Sequence, residues 1–354
     1  MTQIFRVDPF NPDPLVIKQA AEILRNGGIV AFPTETVYGL GAIVFNVNAV
    51  KKIFIAKNRP FDNPLIIHIG DLKMLDLVAV DIPEKAFKLI GKFWPGPLTL
   101  ILPKNPKVPK IVSGGLNTVA VRMPAHPVAL ALIREIGEPI AAPSANLAGK
   151  PSPTTAEHVI KDLYDRVDAI IDGGETLYGV ESTIINILSN PPTLLRPGAY
   201  PVEEIERVLG ENVVVPNYAR GLEEALTALA PGMKYRHYAP ETPLILIDPV
   251  SRDQRLLVEK TLSAIREYHS TYSKICVVAC RETAGLYKHV EKTHIIEIGS
   301  RDNMFEIAKN LYKVLRTLDE LKCDIGIIEG FEDHGLGLTV MNRLRKASYK
   351  RISA

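Results

Sequence analysis

The chain has 354 residues, 46% hydrophobic and 23% charged, with a formal net charge of +2; this predicts about two domains with substantial cores and argues against a strongly basic nucleic-acid coat. Its three cysteines, Cys276, Cys280 and Cys323, are odd in number and lack paired spacing, so neither a disulfide framework nor a zinc site is expected and a reduced setting is. No charged, apolar leader opens the chain and no apolar run nears the roughly 20 residues that span a bilayer, so a cytoplasmic protein without membrane contact is expected.

In chain order, Asp13 and Pro14 open a helix predicted over 13–26, with Val16, Ala20, Ile23 and Leu24 on one face and Gly27-Gly28 ending it. A short apolar strand, 29–32, runs into Pro33-Thr34-Glu35-Thr36-Val37-Tyr38-Gly39-Leu40-Gly41. A helix follows over 46–56, with Val50, Ile53 and Phe54 inward, then a strand over 65–69 and a helix over 83–93. Strands are predicted at 98–102, 118–122 and 140–142, with a helix at 127–136 between the last two. Further strands fall at 169–171, 183–188 and 193–195, before a helix at 202–209. This alternation predicts an α/β domain over residues 1–209, a mixed sheet covered by helices.

Residues 210–243 break the rhythm. Their core, Ala230-Pro231-Gly232-Met233-Lys234-Tyr235-Arg236-His237-Tyr238-Ala239-Pro240, is aromatic and cationic rather than rich in spacer residues, so an ordered, contact-making linker is expected. From 244 to 354, apolar runs at 244–247, 275–278, 295–298 and 325–328 alternate with helical patterns, the clearest over 304–318. They predict a smaller Rossmann-like domain with a parallel sheet. It carries neither GxGxxG nor GxxxxGK[ST], so dinucleotide or P-loop binding is not expected there.

Four polar clusters interrupt the apolar pattern. Thr34, Glu35 and Thr36 stand at the end of a strand, and Lys57-x-Arg59 follows closely, a pair suited to phosphate oxygens. Gly114-Gly115 precedes a strand that ends on Arg122 before Pro124, a placement that suits a carboxylate. Ser144, Asn146 and Ser152 offer uncharged donors among small residues. Arg196 ends a strand before Pro197-Gly198, as Arg122 does before its own proline. Two strand-end arginines with Lys57 and Arg59 imply a ligand with several negative groups, and a nucleoside triphosphate together with a carboxylate meets that demand. No GxSxG elbow or Ser-His-Asp set supports nucleophilic hydrolysis, and His68 and His126 belong to no metal triad.

These clusters carry a resemblance. The motifs PTETVYGLG (33–41), KNRPFDNPL (57–65), WPGPLT (94–99), VAVRMPAHP (119–127), APSAN (142–146), GVESTI (179–184), LRPG (195–198) and APGMKYRHYAP (230–240), with the closing Val340-Met341-Asn342-Arg343, resemble the long, two-domain threonylcarbamoyl-AMP synthases over essentially the whole chain. The resemblance implies an open, twisted YrdC-like first domain with a positive concavity. It implies synthesis of L-threonylcarbamoyladenylate from L-threonine, bicarbonate or CO2, and ATP with release of pyrophosphate, for threonylcarbamoyladenosine modification of tRNA by a separate transferase complex. By the family's pattern Thr34, His68, Arg122 and Ser182 hold threonine. Lys57, Arg59, Asn63, Thr118, Ser144, Ser152 and Arg196 surround the nucleotide, with Lys57 and Arg59 the catalytic cations on its phosphates. Tyr235 and His237 close over the pocket from the linker. A Mg2+ ion is implied to come with ATP, held mainly by phosphates, with no metal site on the protein. The alternative is a module binding double-stranded RNA or tRNA without chemistry, through Lys51, Lys52, Lys104, Lys107 and Lys110; a weak direct tRNA contact is compatible with either reading.

Overall fold

The computed structural model describes residues 1–225, 228–233, 238–250 and 253–354. The chain divides into two compact units. The first holds Met1–Ala148, Ser152–Ala219 and the stretch from Glu223 to Met233; the second holds Gly149–Pro151, Arg220–Leu222 and the stretch from Tyr238 to Ala354. The linker segment is thus shared between the two units rather than standing apart from them.

The first unit is built on ten strands: β1 (Gln3–Arg6), β2 (Val30–Phe32), β3 (Gly39–Ile43), β4 (Ile66–His68), β5 (Leu98–Pro103), β6 (Thr118–Arg122), β7 (Ile140–Ala141), β8 (Ala169–Asp172), β9 (Thr183–Asn186) and β10 (Thr193–Arg196). Their order is β1-β8-β2-β3-β7-β4-β6-β5-β9-β10. Pairing is mixed, as the alternating pattern predicts: β4 is parallel to β6 and antiparallel to β7, and β5 is antiparallel to β6 and parallel to β9. Helices form where apolar residues recur at helical spacing. In Glu84–Phe93 the buried set is Ala86, Leu89, Ile90 and Phe93. In Pro14–Arg25, capped by the Asp13 side chain, Ile17, Ala20, Ala21 and Leu24 are buried while Val16 and Ile23 are half-buried, so the inward face is turned from the one predicted.

Register sets up the functional face. Ile66 pairs with Ala120, Ala120 with Ile101, and Thr99 with Ile184. Because side chains alternate along a strand, one face carries Ile66 and His68 of β4, Thr118, Ala120 and Arg122 of β6, Thr99 and Ile101 of β5, and Ile184 of β9. Its apolar half, Ile66, Ile101, Ala120 and Ile184 with Leu195, is covered by Ala225, Ala230 and Met233 of the linker segment. The other half is polar.

The second unit has five strands, β11 (Leu244–Asp248), β12 (Ile275–Cys280), β13 (Thr293–Gly299), β14 (Ile325–Glu329) and β15 (Lys350–Ser353), in the order β13-β12-β14-β11-β15 and all parallel. The helix Met304–Glu320 buries Ile307, Ala308, Leu311, Val314, Leu315 and Leu318 on one side, with Tyr312 and Arg316. Tyr238, at φ +66°, stacks on Tyr312 at 5.6 Å and lies under the Arg343 guanidinium at 4.9 Å.

The cysteine expectation is overturned. Cys276 and Cys323, 47 residues apart, form a disulfide, and Cys280 is a buried free thiol. Cys276 lies on β12 and Cys323 just before β14, and these strands are neighbours in the sheet. Adjacency made by a parallel crossover has no sequence spacing to announce it, and an odd count leaves room for one pair. The cysteine-based argument for a reduced setting falls with it. Among the described residues no helix is long and apolar enough to cross a membrane.

Candidate functional site

The polar half of the functional face is organised around Arg122 and the 33–38 turn. Strand β3 lies close enough to place this turn because residue 41 is glycine: a Cβ there would meet Ile140 Cγ2 at 2.7 Å and Phe32 Cε1 at 2.8 Å. The turn's backbone is fixed by Tyr178 N–H donating to the Glu35 carbonyl and Tyr38 N–H to the Pro153 carbonyl, both at 2.9 Å. Its hydroxyls form a directed chain. Thr34 Oγ1 donates to the Val37 carbonyl at 2.7 Å, so the 2.8 Å contact between the two hydroxyls has Thr36 Oγ1 as donor. Thr36 Oγ1 in turn accepts from Arg122 Nη1 at 3.0 Å. Glu35 Oε1 stands 2.6 Å from Arg122 Nη2, with Glu35 only 5% and Arg122 3% exposed.

Ser182, at the entry to β9, receives the other arginine. Arg196 donates from Nε and Nη2 to the Ser182 carbonyl, at 3.2 and 2.9 Å, and from Nη2 to Ser182 Oγ at 3.2 Å. Arg196 Nη1 also reaches the Pro231 carbonyl at 3.4 Å, so the linker segment forms part of the wall here. Ser182 Oγ is 2.7 Å from Thr99 Oγ1.

His68 pairs with Arg122 in the β4–β6 register. Burial, reinforced by the Arg122 charge, lowers its pKa to about 3, so the ring is neutral at pH 7. Its Nδ1 lies 3.3 Å from the Ile66 carbonyl, which can only accept. The proton therefore sits on Nδ1, leaving Nε2 as an acceptor. A stability consequence follows from the sign of this shift. With the folded-state pKa below the unfolded value, the unfolded chain binds the extra proton between about pH 3 and 6.5. Stability should fall as pH drops through that window, by up to about 1.4 kcal/mol per pH unit for one proton. His126, also lowered by burial, adds to it. Urea unfolding from pH 4 to 7 checks this: His68→Gln should flatten the slope, and an unchanged slope would refute the assignment.

The second group gathers around Lys57, the last residue of the helix Val47–Lys57. This ammonium is 1% exposed and donates to the Ser144 and Asn146 carbonyls. Burial, then the Arg59 charge, holds its pKa well below the ordinary lysine value. Sequence reasoning put Lys57 on phosphates, whereas here its ammonium donates to the 144–146 loop. That loop is tied to the 33–40 segment by Leu40 N–H to the Pro143 carbonyl and Ala145 N–H to the Tyr38 carbonyl, both at 2.8 Å. Arg59 Nη2 donates to the Pro64 carbonyl at 3.0 Å. Asn63 is buried, and its Oδ1 has no hydrogen-bond partner among the described residues. Thr118, two residues before Ala120, lies beside this segment by register. Ser152 Oγ donates to Glu181 Oε1 at 2.6 Å, linking this group to the Ser182 peptide.

Contacts within the first unit thus connect Thr34, Arg122, Ser182 and Arg196 with Lys57, Ser144 and Ser152, while Arg59, Asn63 and Thr118 flank them. Tyr235 and His237 lie outside the described residues. The sequence offers Thr36 as a hydroxyl and Glu35 as an acceptor at the strand end, and sets Glu181 in a polar cluster, without assigning any of them to a substrate. It does not single out Thr99, although Thr99 carries a signal as the one hydroxyl in the apolar run Leu98–Leu102. Among the described residues no group of three or more His, Cys, Asp or Glu could hold a metal ion. The donor set suits anions: three arginines and a row of hydroxyls, with Glu35 and Glu181 as the acids.

A family model described as "Telomere recombination" matches residues 22–198, and one described as "Threonylcarbamoyl-AMP synthase, C-terminal domain" matches 200–348. The chain is 51% identical to the threonylcarbamoyl-AMP synthase of Pyrococcus abyssi over 337 residues, covering 95% of each chain. It is 48% identical to that of Bacillus subtilis, covering 95% of this chain and 94% of the other. The crystal structure of P. abyssi Sua5 complexed with L-threonine is similar over 100% of both chains, with a TM-score of 0.90 and 48% identity.

Proposed function

We infer that this chain, which belongs to the threonylcarbamoyl-AMP synthase family, condenses L-threonine, bicarbonate or CO2, and ATP into L-threonylcarbamoyladenylate with release of pyrophosphate. The observation that carries this is whole-length similarity to a relative crystallised with L-threonine. It leaves no support for an RNA-binding module without chemistry.

In the reading we favour, the threonine ammonium first gives up a proton, and the neutral amine then takes up CO2 and sheds a second proton to become a carbamate. A carbamate oxygen then attacks the α-phosphorus of ATP, the bond to the bridging oxygen breaks, and pyrophosphate leaves. The attacking group is already anionic, so this step needs positioning and charge neutralisation rather than a covalent intermediate. We assign the threonine carboxylate to Arg122, supported by its burial and its place at a strand end. Thr34, Ser182 and the Nε2 acceptor of His68 complete that half. Arg59, Asn63, Thr118, Ser144, Ser152 and Arg196 are assigned to the nucleotide. Lys57 supports it by fixing the loop that presents Ser144. The anion-suited donor set fits a Mg2+ ion that arrives on the phosphates, where it would offset their charge. We assign the reaction to the cytoplasm and its product to a tRNA threonylcarbamoyl transferase complex, with any direct tRNA contact secondary.

Pyrophosphate release from ATP, Mg2+ and bicarbonate tests this. It should depend strictly on L-threonine; release at the same rate without it would contradict the reading.

A further inference from the structure

Glu35 has no role in the assignment above, yet its surroundings are unusual. Both its carboxylate oxygens are buried, and among the described residues neither has a hydrogen-bond partner. Arg122 Nη2 is 2.6 Å from Oε1 but out of line for a hydrogen bond, and Arg122 Nε and Nη2 likewise lack hydrogen-bond partners among the described residues. Two buried, opposite charges thus lie side by side as an ion pair whose carboxylate oxygens and Arg122 Nε and Nη2 make no hydrogen bond among the described residues, Arg122 Nη1 alone being engaged, on Thr36. Burying such a pair is costly, and buried polar groups are nearly always hydrogen-bonded. The turn that carries Glu35 is fixed by its own hydrogen bonds, so the carboxylate is held in place rather than left over from a mobile loop.

Charge balance says what fits. Arg122 and Glu35 together are neutral. A ligand bringing only a carboxylate to Arg122 would leave the buried pocket with one uncompensated negative charge. In the initial complex, before any carbamate forms, a ligand bringing a carboxylate and an ammonium a few ångströms apart leaves it neutral and fills both sets of unused valences.

We propose that Glu35 is the ammonium-recognition residue of the amino-acid site, so that the buried Glu35–Arg122 pair reads the two opposite charges of an α-amino acid. This rests on the synthase reading, since that reading puts the substrate carboxylate on Arg122. It makes the site selective for α-amino over α-hydroxy acids.

The test is titration calorimetry of the full chain with two ligands, L-threonine and the dihydroxy acid in which hydroxyl replaces its α-amino group. Wild type should prefer threonine by about 10- to 150-fold, the worth of a charge-assisted hydrogen bond. Glu35→Gln keeps the shape and removes the charge; it should weaken threonine binding until that preference largely disappears. If Glu35→Gln weakens both ligands equally, Glu35 only props Arg122 and the proposal is overturned. Should the amide variant fail to fold, Glu35→Asp gives the same comparison. Its withdrawn carboxylate should weaken threonine more than the dihydroxy acid, and equal weakening again overturns the proposal. A wild type that ignores L-threonine altogether would sink the synthase reading instead.

Discussion

Replacing Arg122 by alanine is expected to damage the protein twice. Threonine affinity should fall by about 1.5–3 kcal/mol, the range for a hydrogen bond to a charged group. Fold stability should fall as well, because Glu35 would be left buried beside no countercharge. Breaking a buried pair by removing one partner costs about 3–5 kcal/mol, whereas removing both is far milder. Adding Glu35→Ala to Arg122→Ala should therefore restore much of the lost stability without restoring threonine affinity. Urea unfolding paired with calorimetric titration separates the two effects. A double variant no more stable than Arg122→Ala would show that the pair is not the coupled unit described here, and an unaltered threonine affinity in the single variant would remove Arg122 from the site.

Gly198→Ala should be the most disruptive single methyl in the first unit. The added Cβ would lie 2.3 Å from the Ser182 carbonyl carbon and the Thr183 nitrogen, and 2.5 Å from the Glu181 oxygen. All three are backbone atoms, so no side chain can swing aside. The opposing segments are also tied together, by Ala199 N–H to the Glu181 carbonyl at 3.0 Å and Thr183 Oγ1 to the Tyr200 carbonyl at 2.6 Å. The methyl must push the Ser182 peptide away from Arg196 and Thr99. Overpacking of this kind costs about 1–3 kcal/mol or more, and a displacement near 1 Å can cost about 100-fold in rate. Turnover with L-threonine and thermal unfolding should therefore both fall. Wild-type values for both would mean that the tight approach of residues 198 and 182 has no bearing on the site.

Elements with strong apolar periodicity were legible in the sequence. The strand over Thr118–Arg122 and the helices Pro127–Ile136 and Val202–Leu209 match their predicted spans. Strand β3 was not legible. Its Gly39-Leu40-Gly41 reads as a turn, yet every position is buried, because the glycines make room for Phe32 and Ile140. Edge strands β1 and β15 escaped for the opposite reason: Gln3–Arg6 and Lys350–Ser353 are largely exposed and show no apolar alternation. The helix Ala156–Leu163 follows a Pro- and Ser-rich stretch that reads as a loop.

The site divides in the same way. Strand-end arginines beside Pro turns stand out in the sequence itself, and both Arg122 and Arg196 are buried in the structure. What each cation does depends on neighbours that spacing cannot supply. Lys57 looks like a phosphate ligand by composition; what spacing does not supply is that its helix ends inside the unit, where the ammonium also donates to two carbonyls. Glu35 looks like one acceptor among several until β6 brings Arg122 against it. The linker's contribution also needs register, since Ala225, Ala230 and Met233 find their partners only on a face assembled from β4, β5, β6 and β9.

An amino acid and a nucleotide are expected to meet on one sheet face, a carbamate oxygen against the α-phosphorus. Carbon NMR of the full chain with 13C-bicarbonate, L-threonine, Mg2+ and ATP observes that bond directly. A new carbamate carbon signal split by coupling to phosphorus is the predicted result. Consumption of ATP with only bicarbonate and unsplit carbamate signals would contradict it.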